Sequence, residues 1–308
     1  MSTVEQSTPR ANKKPVKKAA FIGITFVLVI TLILLANRYL VEHVQIAAGA
    51  TASNAVADAT YAADQWNYAS DSKTISIKEV TSGNGQNKVT YYVADVTVDD
   101  TSILQSAFAK NEYGTNIIET TSKIAADHNA VLAINGDYYG FRDNGILIRN
   151  GQIYRDSPAR TGLKIYKDGS MEIYDETTTS AQDLLNEGVW QTLSFGPALV
   201  VDGQVQTNFD DVSIDKNFGN RTIENSNPRT GIGMIAPNHY VFVVVDGRSS
   251  ESQGMTLFQF AQVFADFGCT EAYNLDGGGS STMYFMGNVV NNPQGKNQER
   301  GTSDIIYV

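Results

Sequence analysis

Residues 274–283 read NLDGGGSSTM, in which an apolar strand end is followed by a carboxylate, three glycines and three hydroxyl side chains. Consecutive glycines let backbone N–H groups approach an anion without interference from a Cβ atom. The stretch is not a P-loop, because no Gly-Lys-Ser/Thr sequence follows. A tight turn stabilised by an aspartate side chain is the alternative interpretation. The candidate site residues in this stretch are Asp276, Gly277, Gly278, Gly279 and Ser280.

Polar groups also follow or precede four other apolar segments of the chain. An arginine guanidinium can hold a phosphate through paired hydrogen bonds, and carboxylates can serve as general acid and base. If the strand ends converge on one pocket, their combined chemistry fits an anionic carbohydrate. Taken singly, each segment can also be a solvated or salt-bridged turn. These further candidates are Asn135, Asp137, Arg229, Thr230, Asp246, Arg248 and Arg300.

Turn signals between apolar segments predict an α+β domain with a mixed, largely antiparallel sheet and a few packed helices. Hairpin turns are predicted at Asn150-Gly151, Asp168-Gly169, Asp202-Gly203 and Pro237-Asn238. Strands are predicted over Val89–Val98, Val131–Asn135, Ala272–Leu275, Thr282–Phe285 and Ile305–Val308. Helices are predicted over Ser102–Tyr113, Thr120–Asn129 and Thr256–Phe267.

The N-terminal region predicts a membrane anchor. Residues 19–36 form an uncharged apolar run of 18 residues, and the segment before them is rich in lysine. Such a run nearly spans a hydrocarbon core of about 30 Å. The positive-inside rule places residues 1–18 in the cytoplasm as a basic tail and the rest of the chain outside. A cleaved signal peptide is the alternative, although its apolar region is usually shorter.

The remainder of the chain is expected to be extracellular. Residues 37–72, rich in Ala, Asn and Ser, are interpreted as a stalk or linker, and residues 73–308 as the extracellular domain. We therefore expect a single-pass protein of the cell membrane, with its substrates among envelope components.

Charge and cysteine content exclude several classes of partner and cofactor. The chain of 308 residues has a net charge of −10, which argues against a nucleic-acid partner. It has one cysteine, so that neither an intramolecular disulfide nor a cysteine-based zinc cluster can form. No metal ligands are assigned and no cofactor is required, although a divalent cation can be accommodated near the carboxylates.

The chain resembles the phosphodiester glycosidase family in a series of short motifs that occur in order over about residues 130–308. The block Asn-Leu-Asp-Gly-Gly-Gly-Ser is the most specific of them. The matching segments are Asn135-Gly136, Phe195-Gly196-Pro197-Ala198-Leu199, Pro228-Arg229-Thr230-Gly231-Ile232-Gly233, Asp246-Gly247-Arg248, Gly254-Met255-Thr256-Leu257, 274–281 and Arg300.

The resemblance implies hydrolysis of a sugar-1-phosphodiester at its glycosidic bond, in glycans of the envelope or in exopolysaccharide. The leaving phosphate is a weak base, so neutralising its charge and guiding water to the anomeric carbon are the harder tasks. Arg229, with Arg248 and the glycine amides, is expected to hold the phosphate. Asp276 or Asp246 is expected to act as base or oxocarbenium stabiliser.

Two departures from the family pattern stand out. Relatives often read Arg-Pro-Val-Ser-Asn near the C-terminus, where this chain has residues 300–304 ending in Asp304, and many carry a small residue at the position of Asp137. Two other functions remain open on the sequence alone. One is a phosphodiesterase or phosphotransferase that cuts the P–O bond, and the other is a non-catalytic glycan-binding assembly protein.

Overall fold

The computed structural model describes residues 14–47, 58–209 and 225–308. The helices of these ranges are α1 (Lys14–Leu40), α2 (Thr121–Asp127), α3 (Ala181–Asn186) and α4 (Leu257–Asp266). The strands are β1 (His43–Ala47), β2 (Tyr61–Ala63), β3 (Asn67–Ser70), β4 (Lys73–Ser82), β5 (Val89–Val98), β6 (Gln105–Phe108), β7 (Glu112–Thr115), β8 (Leu132–Asn135), β9 (Leu147–Arg149), β10 (Gln152–Arg155), β11 (Thr161–Tyr166), β12 (Met171–Asp175), β13 (Val189–Leu193), β14 (Ala198–Val201), β15 (Gln204–Val205), β16 (Arg229–Ala236), β17 (His239–Val245), β18 (Glu271–Asn274), β19 (Met283–Phe285), β20 (Asn288–Val289) and β21 (Asp304–Tyr307).

Helix α1 is the single helix of the described residues that is long and apolar enough to cross a membrane. Its segment Phe21–Leu40 has a mean hydropathy of 2.2, and a membrane anchor and a signal sequence share these features. The chain divides into two compact units between Glu42 and His43.

A nine-stranded sheet forms the centre of the second unit, in the order β15-β14-β18-β16-β17-β5-β4-β3-β2, and every pairing in it is antiparallel. The central strand β17 is buried on both faces. Tyr240, Phe242 and Val244 point into one hydrophobic cluster, and the residues between them point into another. Successive side chains of a strand alternate between the two faces of its sheet, so this one strand contributes to two cores.

Further layers cover the two faces of the large sheet. Helix α4 packs Leu257, Phe260 and Phe264 against one face. It begins at Thr256 with a capping box, in which Thr256 and Gln259 each accept a hydrogen bond from the other's backbone amide. The opposite face packs against a five-stranded sheet (β20-β19-β8-β21-β6) and a three-stranded sheet (β12-β11-β13), and α2 packs on the outer face of the former.

The predicted α+β class with a largely antiparallel sheet is confirmed, and so are the four hairpins. The turn residues Asn150, Asp202 and Asn238 have positive φ angles of 52°, 49° and 64°. Strand β5 has the predicted bounds Val89–Val98. The predicted helix Ser102–Tyr113 is wrong, because this segment contains β6, and β6 pairs with β21 at the other end of the chain.

The structure also differs from the stalk expected over residues 37–72. Strands β1, β2 and β3 lie in this range, and β3 pairs with β4 in the large sheet. The physical reason is that the side chain of Tyr68 is buried in the core of the second unit. Tyr68 packs into the main core, while its hydroxyl donates to Asp58 at 2.6 Å, and the Asp58 carboxylate pairs with Lys73 at 2.8 Å.

Candidate active site

Strand ends from two different sheets meet at one place. In the large sheet, Gly231 pairs with Asn274 and Arg229 pairs with Val245, so the start of β16 and the ends of β18 and β17 share one edge. The end of β8 belongs to the five-stranded sheet and reaches the same place through the Asn135 side chain. The convergence expected from the sequence is present.

Asn135 joins the two sheets through a fully buried side chain. Its amide nitrogen donates to the Asp276 carbonyl at 2.7 Å, and its oxygen accepts from the Thr230 hydroxyl at 2.8 Å and from the Thr282 amide at 3.2 Å. With both ends of its amide hydrogen-bonded, Asn135 fixes the geometry of the loop that carries Asp276.

Asp276 follows the last residue of β18, Asn274, by two positions, and the residue is 8% exposed. Its Oδ2 accepts from the Ser280 hydroxyl at 2.6 Å and from Arg300 Nη2 at 3.1 Å, while Arg300 Nε donates to the same hydroxyl at 3.1 Å. Burial raises the pKa of Asp276, and the charge of Arg300 and the hydrogen bond from Ser280 lower it. Asp276 is therefore a buried carboxylate that accepts hydrogen bonds from Ser280 and from the half-exposed Arg300.

The three glycines bring the backbone close to two arginines. Gly278 has a φ of +65°, which favours glycine, and a Cβ atom there would lie 3.0 Å from Arg248 Nη2. The Gly278 amide donates to the Pro228 carbonyl at 2.9 Å, so this N–H is already engaged. Gly279 packs against the Arg300 side chain. A larger residue at either position would displace an arginine.

Two arginines, Arg229 and Arg248, lie near the glycine loop. Arg229 is 4% exposed and donates from Nε to the Met255 carbonyl at 2.9 Å and from Nη2 to the Asn225 carbonyl at 2.7 Å. Burial and then the charge of Arg248 lower the pKa of Arg229 to about 10. Arg248 is exposed and donates to the Asn227 side chain at 3.1 Å. Two guanidinium charges this close to each other favour an anion nearby.

Asp246 is held in a loop-anchoring network. Its oxygens accept from the Asn291 side chain at 2.9 Å and from the Asn292 amide at 3.0 Å, and its carbonyl accepts from Ser252 at 2.6 Å. Burial raises the pKa of Asp246, and the hydrogen bonds from Asn291 and Asn292 lower it. The network ties β17 to the segment 291–292 next to the glycine loop.

Asp137 pairs with an arginine that the sequence analysis did not select. Its Oδ1 accepts from the Tyr139 amide at 2.9 Å, and its Oδ2 accepts from the Ser194 amide at 3.1 Å and lies 3.1 Å from Arg149 Nη2. Arg149 also donates to Asp304 Oδ2 at 2.8 Å. The two departures from the family pattern, Asp137 and Asp304, therefore meet on one guanidinium.

Arg142 and three aromatic rings pack together near Asp276. The Arg142 guanidinium carbon lies 4.7 Å from the centroid of the Phe195 ring and 5.3 Å from that of Tyr138, and Tyr138 stacks on Phe141 at 4.7 Å. Arg142 is close enough to lower the pKa of Asp276. Tyr138 follows the Asn135-Gly136 motif closely, but Arg142 carries no recognisable motif.

Among the described residues, no group of three or more His, Cys, Asp or Glu side chains is arranged to hold a metal ion. The carboxylates of the site are instead paired with arginine, amide and hydroxyl donors.

Residues 128–308 match the phosphodiester glycosidase family. The chain belongs to this family. A protein of the SPbeta prophage of Bacillus subtilis strain 168, which is uncharacterised, is 32% identical over 227 residues, covering 66% of this chain and 34% of that protein. The chain therefore spans about a third of the length of this relative.

Two solved structures share the fold of this chain. The catalytic domain of zebrafish N-acetylglucosamine-1-phosphodiester α-N-acetylglucosaminidase, auto-inhibited by its pro-peptide, superimposes with a TM-score of 0.62 at 21% identity, over 78% of this chain and 84% of that one. A hypothetical protein from Synechocystis gives a TM-score of 0.53 at 14% identity, over 77% and 62% of the two chains. The mixed architecture of this chain is thus shared with the zebrafish catalytic domain.

Proposed function

We propose that the chain hydrolyses sugar-1-phosphodiesters at the glycosidic C–O bond in cell-envelope or exopolysaccharide glycans. Membership of the phosphodiester glycosidase family supports the reaction class. The observation that carries the proposal is the buried Asp276 carboxylate under a half-exposed Arg300, beside the adjacent guanidinium groups of Arg229 and Arg248. The Asp276 carboxylate can serve as a base, and the three arginines supply positive charge that can bind a phosphate.

The phosphate is expected to lie between Arg248 and Arg300, above the glycine loop. Both side chains contact the loop, Arg248 at Gly278 and Arg300 at Gly279. Arg229 is buried, adds positive charge and donates to the Met255 carbonyl in the segment before α4. Charge-assisted hydrogen bonds of this kind stabilise both the bound diester and the departing phosphate.

Asp276 is expected to act on water or on the developing oxocarbenium ion. Water attacks the anomeric carbon, the bond from this carbon to the phosphate oxygen breaks, and the phosphate leaves with the bonding electrons. The proton lost by water passes to a carboxylate, and Asp276 is better placed than Asp246, whose oxygens are engaged by Asn291 and Asn292. Asn135 and Thr230 would hold this geometry rather than react.

The proposal includes the anchor. Residues 19–36 would span the cell membrane, with residues 1–18 in the cytoplasm and the folded unit outside. The apolar helix Phe21–Leu40 and the preceding lysines support this orientation. The substrates would then be phosphorylated glycans at the cell surface.

Turnover of a panel of sugar-1-phosphodiesters by the full chain in detergent tests the proposal. D276N is expected to lose turnover while its affinity for the substrate changes little. D246N is the matched control at a second buried carboxylate and is expected to lose less. A chain that binds the panel without hydrolysing any member would instead be a glycan-binding protein.

A further inference from the structure

A buried cluster beneath the candidate active site holds two carboxylates and one guanidinium. Asp137, Arg149 and Asp304 are at most 2% exposed in their side chains. Arg149 Nε and Nη2 donate to Asp304 Oδ2 at 3.0 and 2.8 Å, and Nη2 lies 3.1 Å from Asp137 Oδ2. With both carboxylates ionised the cluster carries one excess negative charge, which is costly in a buried site.

Only one of the two carboxylates has an oxygen at which a proton can be accommodated. Both oxygens of Asp137 accept hydrogen bonds from backbone amides, those of Tyr139 and Ser194. Asp304 Oδ1 is buried and has no hydrogen-bond partner among the described residues. A proton on Oδ1 neutralises the cluster without breaking the bonds from Arg149 to Oδ2.

The unpartnered oxygen lies over Gly136, next to the residue that holds the Asp276 loop. A Cβ atom on Gly136 would lie 2.2 Å from Asp304 Oδ1, so glycine is required there. The Gly136 amide donates to the Asp304 carbonyl at 2.9 Å, and the preceding Asn135 donates to the Asp276 carbonyl at 2.7 Å. A short chain of contacts therefore links Asp304 to Asp276.

The electrostatic surroundings agree with this geometry. The pKa of Asp304 is raised to about 7, chiefly by burial and also by the charges of Asp137 and Asp276, while the charge of Arg149 opposes the rise. Tyr139 also feels the charge of Asp304, and burial raises its pKa well above the ordinary value, so it stays neutral. Burial raises the pKa of Asp137, and the charges of Arg149 and Arg155 lower it, so that it lies below the ordinary value.

We propose that Asp304 is a positioning residue of this site, which takes up a proton and so removes a negative charge from beneath Asp276 and the substrate phosphate. The inference rests on the proposed function and adds to it the pH range in which the site is active. An ionised Asp304 repels a bound phosphodiester anion, whereas a neutral one does not. The enzyme is therefore adapted to neutral and mildly acidic surroundings.

The pH dependence of kcat/KM for the full chain tests this proposal. The native chain should lose kcat/KM as the pH rises through about 7, because Asp304 becomes charged. D304N keeps an acceptor for Arg149 but cannot ionise, and it should lose this inflection and exceed the native chain at pH 8.5 by about threefold or more. A gain of activity cannot result from misfolding.

A second variant tests whether the pH dependence comes from Asp304 or from a general structural effect of the cluster. D137N leaves Arg149 to neutralise Asp304 alone, so the inflection should persist and move to lower pH. The exposed carboxylate of Asp127, which pairs with Lys123, provides the control D127N, which should leave the profile unchanged. An inflection near pH 7 that is unaltered in D304N would overturn the proposal.

The melting temperature gives a readout that does not depend on activity. A carboxyl whose pKa is raised on folding stabilises the protein below its unfolded pKa of about 4, and this contribution is lost as the pH rises towards the folded value. The Tm of D304N relative to the native chain should therefore increase between pH 5 and 8. If the native chain hydrolyses no substrate, the proposed function fails, whereas a Tm difference independent of pH overturns the role of Asp304.

Discussion

Two arginine–aspartate contacts lie at different depths of the same site, and they are built for different tasks. Arg300 contacts Asp276 with 48% of its side chain exposed, so its guanidinium can exchange partners with a ligand. Arg149 contacts Asp304 with 2% of its side chain exposed, and it also donates to the carbonyls of Ile148 and Thr192. The comparison teaches that burial, more than pairing, separates a group that can bind substrate from one that holds the framework.

The largest expected effect comes from the Asp276 side of this comparison. D276N should lower kcat by about 10²–10⁴-fold, the usual contribution of a positioned acid or base. Its free energy of unfolding should change little, because the amide can keep the hydrogen bond from Ser280. Steady-state kinetics and urea unfolding of the same preparation measure both. A fall of less than tenfold in kcat would remove Asp276 from the chemistry.

The deeper contact predicts the opposite pattern. R149M should lower the free energy of unfolding by about 3–5 kcal/mol, because it removes the guanidinium that neutralises two buried carboxylates. Urea unfolding measures this loss. It should be smaller at pH 5 than at pH 8, since the Asp304 carboxyl, with its pKa raised to about 7 by burial, is neutral at the lower pH. Equal losses at the two pH values would contradict the assignment of an excess charge to the cluster.

A core substitution far from the carboxylates calibrates the stability scale. F260A, in α4, removes a fully buried ring from the second hydrophobic cluster and should cost about 3–5 kcal/mol. At temperatures where the variant remains folded, kcat should stay within about twofold of the native value, because Phe260 belongs to the hydrophobic cluster between α4 and the sheet. A large loss of kcat in the folded variant would show that the sheet and site are coupled.

Arg300 should show an intermediate effect. R300K keeps the charge but not the planar fork, so it should raise KM by about tenfold, equivalent to about 1.4 kcal/mol, with a smaller change in kcat. The inhibition constant for inorganic phosphate should rise with KM. An unchanged KM would show that Arg300 serves only to hold Ser280 and Asp276.

The smallest effect is expected at the surface. D127N breaks the exposed pair with Lys123 and should change the free energy of unfolding by less than about 0.5 kcal/mol. Chemical unfolding at low and at high salt measures it. A larger change would mean that exposed pairs in this chain cannot be used as controls for buried ones.

Local sequence signals predicted the parts of the fold and site that depend on local chemistry. The turn at Asn150-Gly151 and the capped helix α4 follow from residue types within a few positions of one another. The glycine loop after β18 could also be predicted from the sequence, because its strand, carboxylate and glycines are contiguous. The meeting of strand ends was inferred from the repetition of this pattern.

The parts that were missed depend on contacts between distant segments. β6 pairs with β21 about 200 residues away, and this pairing prevails over the helical appearance of Ser102–Tyr113. Asp304 and Arg149 are 155 residues apart, so no local pattern could pair them. Strand β3 of the expected stalk is likewise held by Tyr68 in the main core, and β1 is held by its pairing with β7. Asp137 was selected for a substrate, and its position on Arg149 became visible only in three dimensions.

The most direct test of the central claim is hydrolysis of a sugar-1-phosphodiester in water labelled with oxygen-18, with the products read by mass spectrometry. A phosphodiester glycosidase that attacks the anomeric carbon will place the label in the released sugar. Label in the phosphate would show that the P–O bond is cut, and the account of Asp276 as the group that serves the anomeric carbon would then be wrong.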